Sequence, residues 1–147
     1  MKHALVLFAL VAALGCASPQ QDPGPSVTVR IAPLDTNSDM FYFRGPIGLR
    51  YAVEVTNPTD ETITLRRLDL HTPAGGGGAY ALSADSTPMN VKVAPKSNAM
   101  FSISTWGRSR GGYLYAGEPV VIQGTAYFDS PKGPFVKIFQ QNVVPGP

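Results

Sequence analysis

The sequence predicts an all-β fold, an immunoglobulin-like β-sandwich of seven to nine strands, on three observations. Short stretches of alternating apolar and polar residues recur from Val27 to the end of the chain. Fourteen prolines and fifteen glycines are scattered between these stretches as turn punctuation and are not gathered into a low-complexity tract. Beyond residue 16 no segment sustains the 3.6-residue apolar period of a packed helix.

The elements follow in order. Val27–Ile31 alternates and forms the first strand, and the aromatic run Met40–Phe43, ended by Gly45-Pro46, is read as a short second one. Leu49–Thr56 is the clearest strand: Leu49, Tyr51, Val53 and Val55 share one face, and Arg50, Glu54 and Thr56 the other. Asn57-Pro58-Thr59-Asp60 is a turn, because Pro58 fixes φ and removes a donor. In the return strand, Thr62–Leu70, Ile63 and Leu65 have one parity and Leu68 and Leu70 the other. One extra residue at Arg66-Arg67 keeps all four on the core side, so a β-bulge is expected there.

Gly75 to Gly78 then form a flexible, hairpin-type loop. Tyr80–Leu82, Met89–Val93 and Ala99–Ile103 are further strands, followed by a loop over Trp106–Gly112. Val120–Phe128 and Pro134–Phe139 close the fold, joined by the hairpin-like Ser130-Pro131-Lys132-Gly133. The sandwich is expected over residues 26–143.

The N-terminus has a different character. Met1-Lys2-His3 is basic, Ala4 to Leu14 is apolar, and Gly15 is a small residue before Cys16, the only cysteine. A basic start, a short apolar run and a small residue describe an export signal over residues 1–15. The segment resembles a bacterial lipoprotein signal, although Ala13 and Leu14 stand in the reverse of the usual order. That resemblance implies that Cys16 is lipidated and becomes the mature N-terminus. Ala17, in place of an aspartate, implies sorting to the outer membrane with the domain facing the periplasm. The alternatives are a plain secretory signal, which leaves Cys16 as an odd free thiol, and a retained anchor. A membrane span needs about 20 apolar residues, and this run stops short of that. One acyl chain holds a protein only marginally, whereas two or more anchor it stably. Residues 16–25, with three prolines after the cysteine, form an extended tether.

Removal of residues 1–15 from the 147 leaves 132, enough for one domain with its own core. With a single cysteine there is no internal disulfide. Lys2 leaves with the signal, so 11 basic and 10 acidic side chains remain, and this balance argues against a nucleic-acid partner.

No catalytic, metal-binding or cofactor site is expected. His71 is the only histidine after the signal, and Asp69 points to the same side of its strand, but no nucleophile elbow accompanies them. Asp35-Thr36-Asn37-Ser38-Asp39 begins with calcium-loop spacing, yet Met40 stands where glycine is required and Pro46 where a bidentate glutamate is required. The four glycines lack the Lys-Ser/Thr and the helix of a phosphate loop. No acidic pair stands out for glycoside hydrolysis. The residues best suited to binding are Trp106, Arg108, Arg110, Tyr113 and Tyr115, on a glycine-rich segment where aromatic rings and guanidinium groups can stack on a sugar or hold an anion. The competing reading makes Trp106 a plug at the end of the sandwich and leaves the arginines solvated.

Residues from about Leu49 to Gln141 resemble the LEA type 2 family, which includes the water-stress and hypersensitive-response (WHy) domain. The resemblance rests on Val53-Glu54-Val55-Thr56-Asn57-Pro58-Thr59 with Ile63-Thr64-Leu65, and on Val120-Val121-Ile122-Gln123-Gly124-Thr125-Ala126-Tyr127. It implies an immunoglobulin-like sandwich without catalytic residues and with a stress-protective or interaction role. The expected function is an anchored, non-catalytic envelope module. Its partners are the membrane, through the lipid, and an envelope protein or glycan. The alternative is a glycan or cell-wall binding module working through the Trp106–Tyr115 segment, and a hydrolase using His71 is a third, weaker reading.

Overall fold

The computed structural model describes residues 24–34 and 38–145. The signal segment, Cys16, most of the tether and the Asp35-Thr36-Asn37 start of the calcium-like spacing lie outside the described residues. Eight strands are described: β1 (Thr28–Pro33), β2 (Gly45–Asn57), β3 (Ile63–His71), β4 (Tyr80–Leu82), β5 (Asp85–Val93), β6 (Ser97–Ser109), β7 (Val120–Ser130) and β8 (Gly133–Val143). They form two antiparallel four-stranded sheets, ordered β1-β2-β6-β4 and β5-β3-β7-β8. In space the first order matches the A-B-E-D sheet of an immunoglobulin domain and β3-β7-β8 matches C-F-G with β5 added beside C, although along the chain β4, in the D position, comes before β5. The fold is an all-β, immunoglobulin-like sandwich.

Alternation along β2 places Leu49, Tyr51, Val53 and Val55 in the core, where they meet Ile63, Leu65, Leu68, Leu70, Ile122 and Phe128 of the facing sheet. The bulge falls where the parity break puts it: pairing slips between Leu65 and Arg67 against both neighbours, and Arg66 and Arg67 both face solvent.

Several local expectations are corrected. Met40–Phe43 is not a strand: a 3-10 turn covers Ser38–Phe41 and drives Phe41 into the core, stacked 5.2 Å from Tyr80. β2 and β3 do not form a hairpin, since the Asn57 turn carries the chain from one sheet to the other. The glycine run is not a free loop either. Its hydrogen bonds join Val121 N–H to the Gly76 carbonyl (2.9 Å), and the next residue, Ala79, donates to the Glu118 carbonyl (3.2 Å). A Cβ on Gly78 would lie 2.0 Å from the Pro119 carbonyl oxygen, so only glycine permits this backbone approach. Most consequentially, β6 continues through Trp106 to Ser109, where a loop was expected.

Two side chains hold the layers together. Asn57 is fully buried, and its Nδ2 donates to the carbonyls of Glu61 (2.8 Å), Ala94 (3.0 Å) and Val93 (3.2 Å). Its Oδ1 accepts from Thr59 N–H (3.1 Å) and the Thr59 hydroxyl (2.7 Å), so one amide joins the β2–β3 turn to the β5–β6 turn. Gln141, on edge strand β8, reaches edge strand β1. Its Oε1 accepts from Ile31 N–H at 3.0 Å and its Nε2 donates to the Ile31 carbonyl, so the side chain takes the place of a pairing strand.

Register gives the sandwich two distinct ends. Thr28 pairs with Thr56 and Ser97 with Asn57 at the end where the described chain enters. Gly45 and Tyr80 both pair with Ser109 at the other end, about 40 Å away along the 13 residues of β2.

Candidate functional site

The five residues singled out in the sequence gather at the far end, in two groups. Trp106 and Arg108 are alternate residues of β6 and point away from the core, onto the outer face of the β1-β2-β6-β4 sheet. Arg110, Tyr113 and Tyr115 belong to a cap beyond the strand, where Tyr113–Ala116 forms one helical turn, α1.

Trp106 does not plug the sandwich. It is 66% exposed, and that end is filled by Phe41, Tyr80 and Ala116. Its cross-strand partner is Gly48, and a Cβ there would lie 3.9 Å from the six-membered ring of the indole. The ring therefore rests over the bare backbone of β2. Ser83 N–H donates to the Trp106 carbonyl (3.1 Å) on its other side, so small residues flank the tryptophan on both sides. Arg108 pairs across to Pro46 and Ala81.

Sequence reasoning missed Arg44. It lines a cavity of about 370 Å³ together with Gly45 and Arg108, and no carboxylate is in that lining. Gly111, in the left-handed region at φ 75°, makes this geometry: a Cβ there would sit 2.8 Å from the Arg44 backbone nitrogen. The tight approach holds the β6–α1 connection against the root of Arg44. Gly45-Pro46 was read as the end of the aromatic run, but nothing local pairs Arg44 with Arg108, 64 residues on.

In the cap, Arg110 lies over the Tyr115 ring (4.5 Å), donates to the Gly77 carbonyl (3.2 Å) and faces Glu118 at 3.6 Å. Arg110 is thus bound up in holding the cap to the glycine run. Tyr113 stacks on Tyr42 with centroids 4.3 Å apart, and Gly112 N–H donates to the Tyr42 carbonyl. Phe43 (77% exposed) and Leu114 (86%) complete an apolar tip that the sequence did not single out.

Elsewhere the chemistry is engaged. His71 and Asp69 do share the outer face of the second sheet, but Asp69 accepts from the Ser86 hydroxyl at 2.6 Å and pairs with Arg67 at 3.2 Å. Its carboxylate is committed to those two partners. A cavity of about 650 Å³ lies at the entry end, lined in part by Asp60, Glu61, Lys96 and Lys132. There Lys96 pairs with Asp60 and Lys132 with Glu61, each at 3.2 Å, so the charges cancel locally. Among the described residues no group of three or more His, Cys, Asp or Glu side chains is placed to hold a metal ion. No helix among them is long and apolar enough to cross a membrane.

No protein-family model matches the chain, and no curated protein matches it in sequence. Among solved structures, a protein from Archaeoglobus fulgidus is similar over 78% of this chain and 91% of its own, at 10% identity and a TM-score of 0.50. Northeast Structural Genomics Consortium target SoR45 is similar over 78% of this chain and 82% of its own, at 15% identity and a TM-score of 0.48. At such identities the first of these likenesses is one of fold alone.

Proposed function

We propose that this chain is a lipid-anchored, non-catalytic interaction module that meets its partner through the end of the sandwich remote from the N-terminus. The observation that carries this reading is the polarity of the domain. The described chain enters at the Thr28–Asn57 end, while the exposed Trp106, Tyr113, Leu114 and Phe43 lie with Arg44 and Arg108 at the Gly45–Ser109 end. A lipid on Cys16, with a tether over residues 16–25 that spans at most about 35 Å, orients the entry end toward an outer-membrane surface and turns the far end outward. The LEA type 2 and WHy resemblance points the same way, toward interaction or stress protection. An enzyme built on His71 finds no support in an Asp69 already held by Ser86 and Arg67.

The test is photocrosslinking in intact cells from single positions at each end. Crosslinkers at Phe43 and Leu114 capture a partner, and one at Lys132 on the entry end does not. Capture from Lys132 alone reverses the assignment.

One observation favours glycan binding as the second reading. An indole with one side on the Gly48 backbone and 66% of its surface open is a stacking platform for a pyranose ring. Trp106 is the only tryptophan, so its fluorescence reports such a ligand directly.

A further inference from the structure

Resting on that glycan reading, we infer that the Trp106 platform selects sugars bearing an anionic group, with Arg44 and Arg108 as the selecting residues. Three features of the outer sheet face converge on this. First, Arg108 follows Trp106 by two residues on the same face of β6, so its Cα lies about 7 Å along the strand, within the span of one hexose and its substituent. Second, Arg44, the residue immediately before β2, lines the same cavity, about 370 Å³, as Arg108. Two arginines line one cavity with no carboxylate in its lining, and neither has an ion-pair partner among the described residues, so like charge there is uncompensated. The acid nearby, Glu118, is taken by Arg110. Third, Gly48 on β2, the cross-strand neighbour of Trp106, carries no side chain that would crowd a ring laid on the indole.

Carboxylates and phosphates are both matched by the planar fork of arginine. The recognised unit is therefore a sugar whose ring lies on Trp106 and whose carboxylate or phosphate is held between Arg108 and Arg44. Ring stacking supplies affinity for any pyranose, and the arginine pair supplies the preference for the charged one.

The experiment titrates the full-length protein in neutral detergent micelles with matched probes, read by Trp106 fluorescence and by calorimetry. The probes are oligogalacturonate, its methyl ester, mannose 6-phosphate and mannose. We expect the acid to bind on the order of tenfold tighter than its neutral ester, a margin that shrinks as salt is raised. Arg44→Gln and Arg108→Gln each erase most of that margin and leave methyl-ester binding in place, whereas Trp106→Ala removes binding of every probe in calorimetry. A margin found only for mannose 6-phosphate over mannose supports the same pair and assigns a phosphorylated sugar. Equal affinity for charged and neutral probes, or a margin that survives both arginine substitutions, overturns the inference while glycan binding stands. Failure of all four probes to bind removes the glycan reading and the inference with it.

Discussion

Asn57 shows how much of this fold passes through one side chain. Every hydrogen-bonding group of its amide is used, inside a fully buried site, between two turns that are 36 or more residues apart. Removing it takes a donor from three carbonyls, of which Glu61 keeps the Thr59 hydroxyl and Ala94 the Ser97 hydroxyl, and takes the acceptor from the Thr59 N–H. A buried polar group left unpaired costs about 1–3 kcal/mol. Asn57→Ala should lower unfolding free energy by about 3 kcal/mol in urea denaturation, with an unchanged m-value. The sequence marked Asn57 only as a turn residue, because its partners Val93 and Ala94 belong to a segment that local pattern does not connect to it.

Tyr80 makes a pH prediction at the same scale. Burial raises its phenol above the ordinary value of 10.0, and the hydrogen bond shared with the Tyr51 hydroxyl, 2.7 Å away, partly offsets that. The folded chain therefore keeps this proton at a pH where the unfolded chain has lost it. Stability from this group is complete below pH 10 and declines as pH rises above it. Thermal melts of Tyr80→Phe should show a shallower alkaline decline than the parent protein, at the cost of the Tyr51 hydrogen bond below pH 10. Equal slopes for the two proteins would count against a perturbed Tyr80.

Among the elements, β3 gives the sharpest test. Its bulge sets Leu65 opposite Phe128 and Arg67 opposite Tyr127, so Arg66 is the unpaired extra residue. Deleting Arg66 restores strict alternation and keeps Ile63, Leu65, Leu68 and Leu70 facing the core. The loss is the exposed contacts of Arg66 with Asp129 and Asn90, which contribute about 1 kcal/mol or less, and some pairing with β5, where the shift runs the other way and Arg66 alone faces Met89 and Asn90. Deleting Asp69 instead puts Leu68 and Leu70 on opposite faces, and a slip of one residue turns an apolar side chain out of the core. Circular dichroism and chemical denaturation of the two deletions should find the first folded and the second not. The bulge was legible because two parities meet within one short strand, a signal carried wholly by local sequence.

The glycine run shows the opposite case. Gly78→Ala drives a methyl group into the Pro119 carbonyl and should cost at least about 2 kcal/mol, since backbone cannot yield as a side chain can. Gly117→Ala, with open space around it, should be close to neutral in the same thermal melts. From sequence both are glycines in loops. The difference comes from a chain segment that arrives 40 residues later to lie against Gly78. The extension of β6 through Trp106 was hidden for a similar reason. Ser104-Thr105-Trp106-Gly107 is weakly apolar, and it is held as strand by pairing with β2 throughout and with β4 from Gly107 onward.

For the whole molecule, the proposed anchoring at the entry end can be tested apart from the proposed recognition at the far end. Cys16→Ser should release the protein from membranes into the soluble fraction on cell fractionation, with the sandwich still folded by circular dichroism. Full retention on membranes would refute lipid anchoring through this residue.

Alternation and turn chemistry are properties of neighbouring residues, so the sequence alone determined the β class, the core faces of β2 and β3, the bulge and the Asn57 turn. It also named Trp106, Arg108, Arg110, Tyr113 and Tyr115 as the side chains suited to binding. Which of them lie together was decided only by tertiary structure. Cross-strand register laid Trp106 over Gly48 and brought Arg44 to the cavity of Arg108, while packing against the glycine run tied Arg110 into the cap. Register between strands about 60 residues apart is set by the fit of two whole sheets, and no window along the chain contains it.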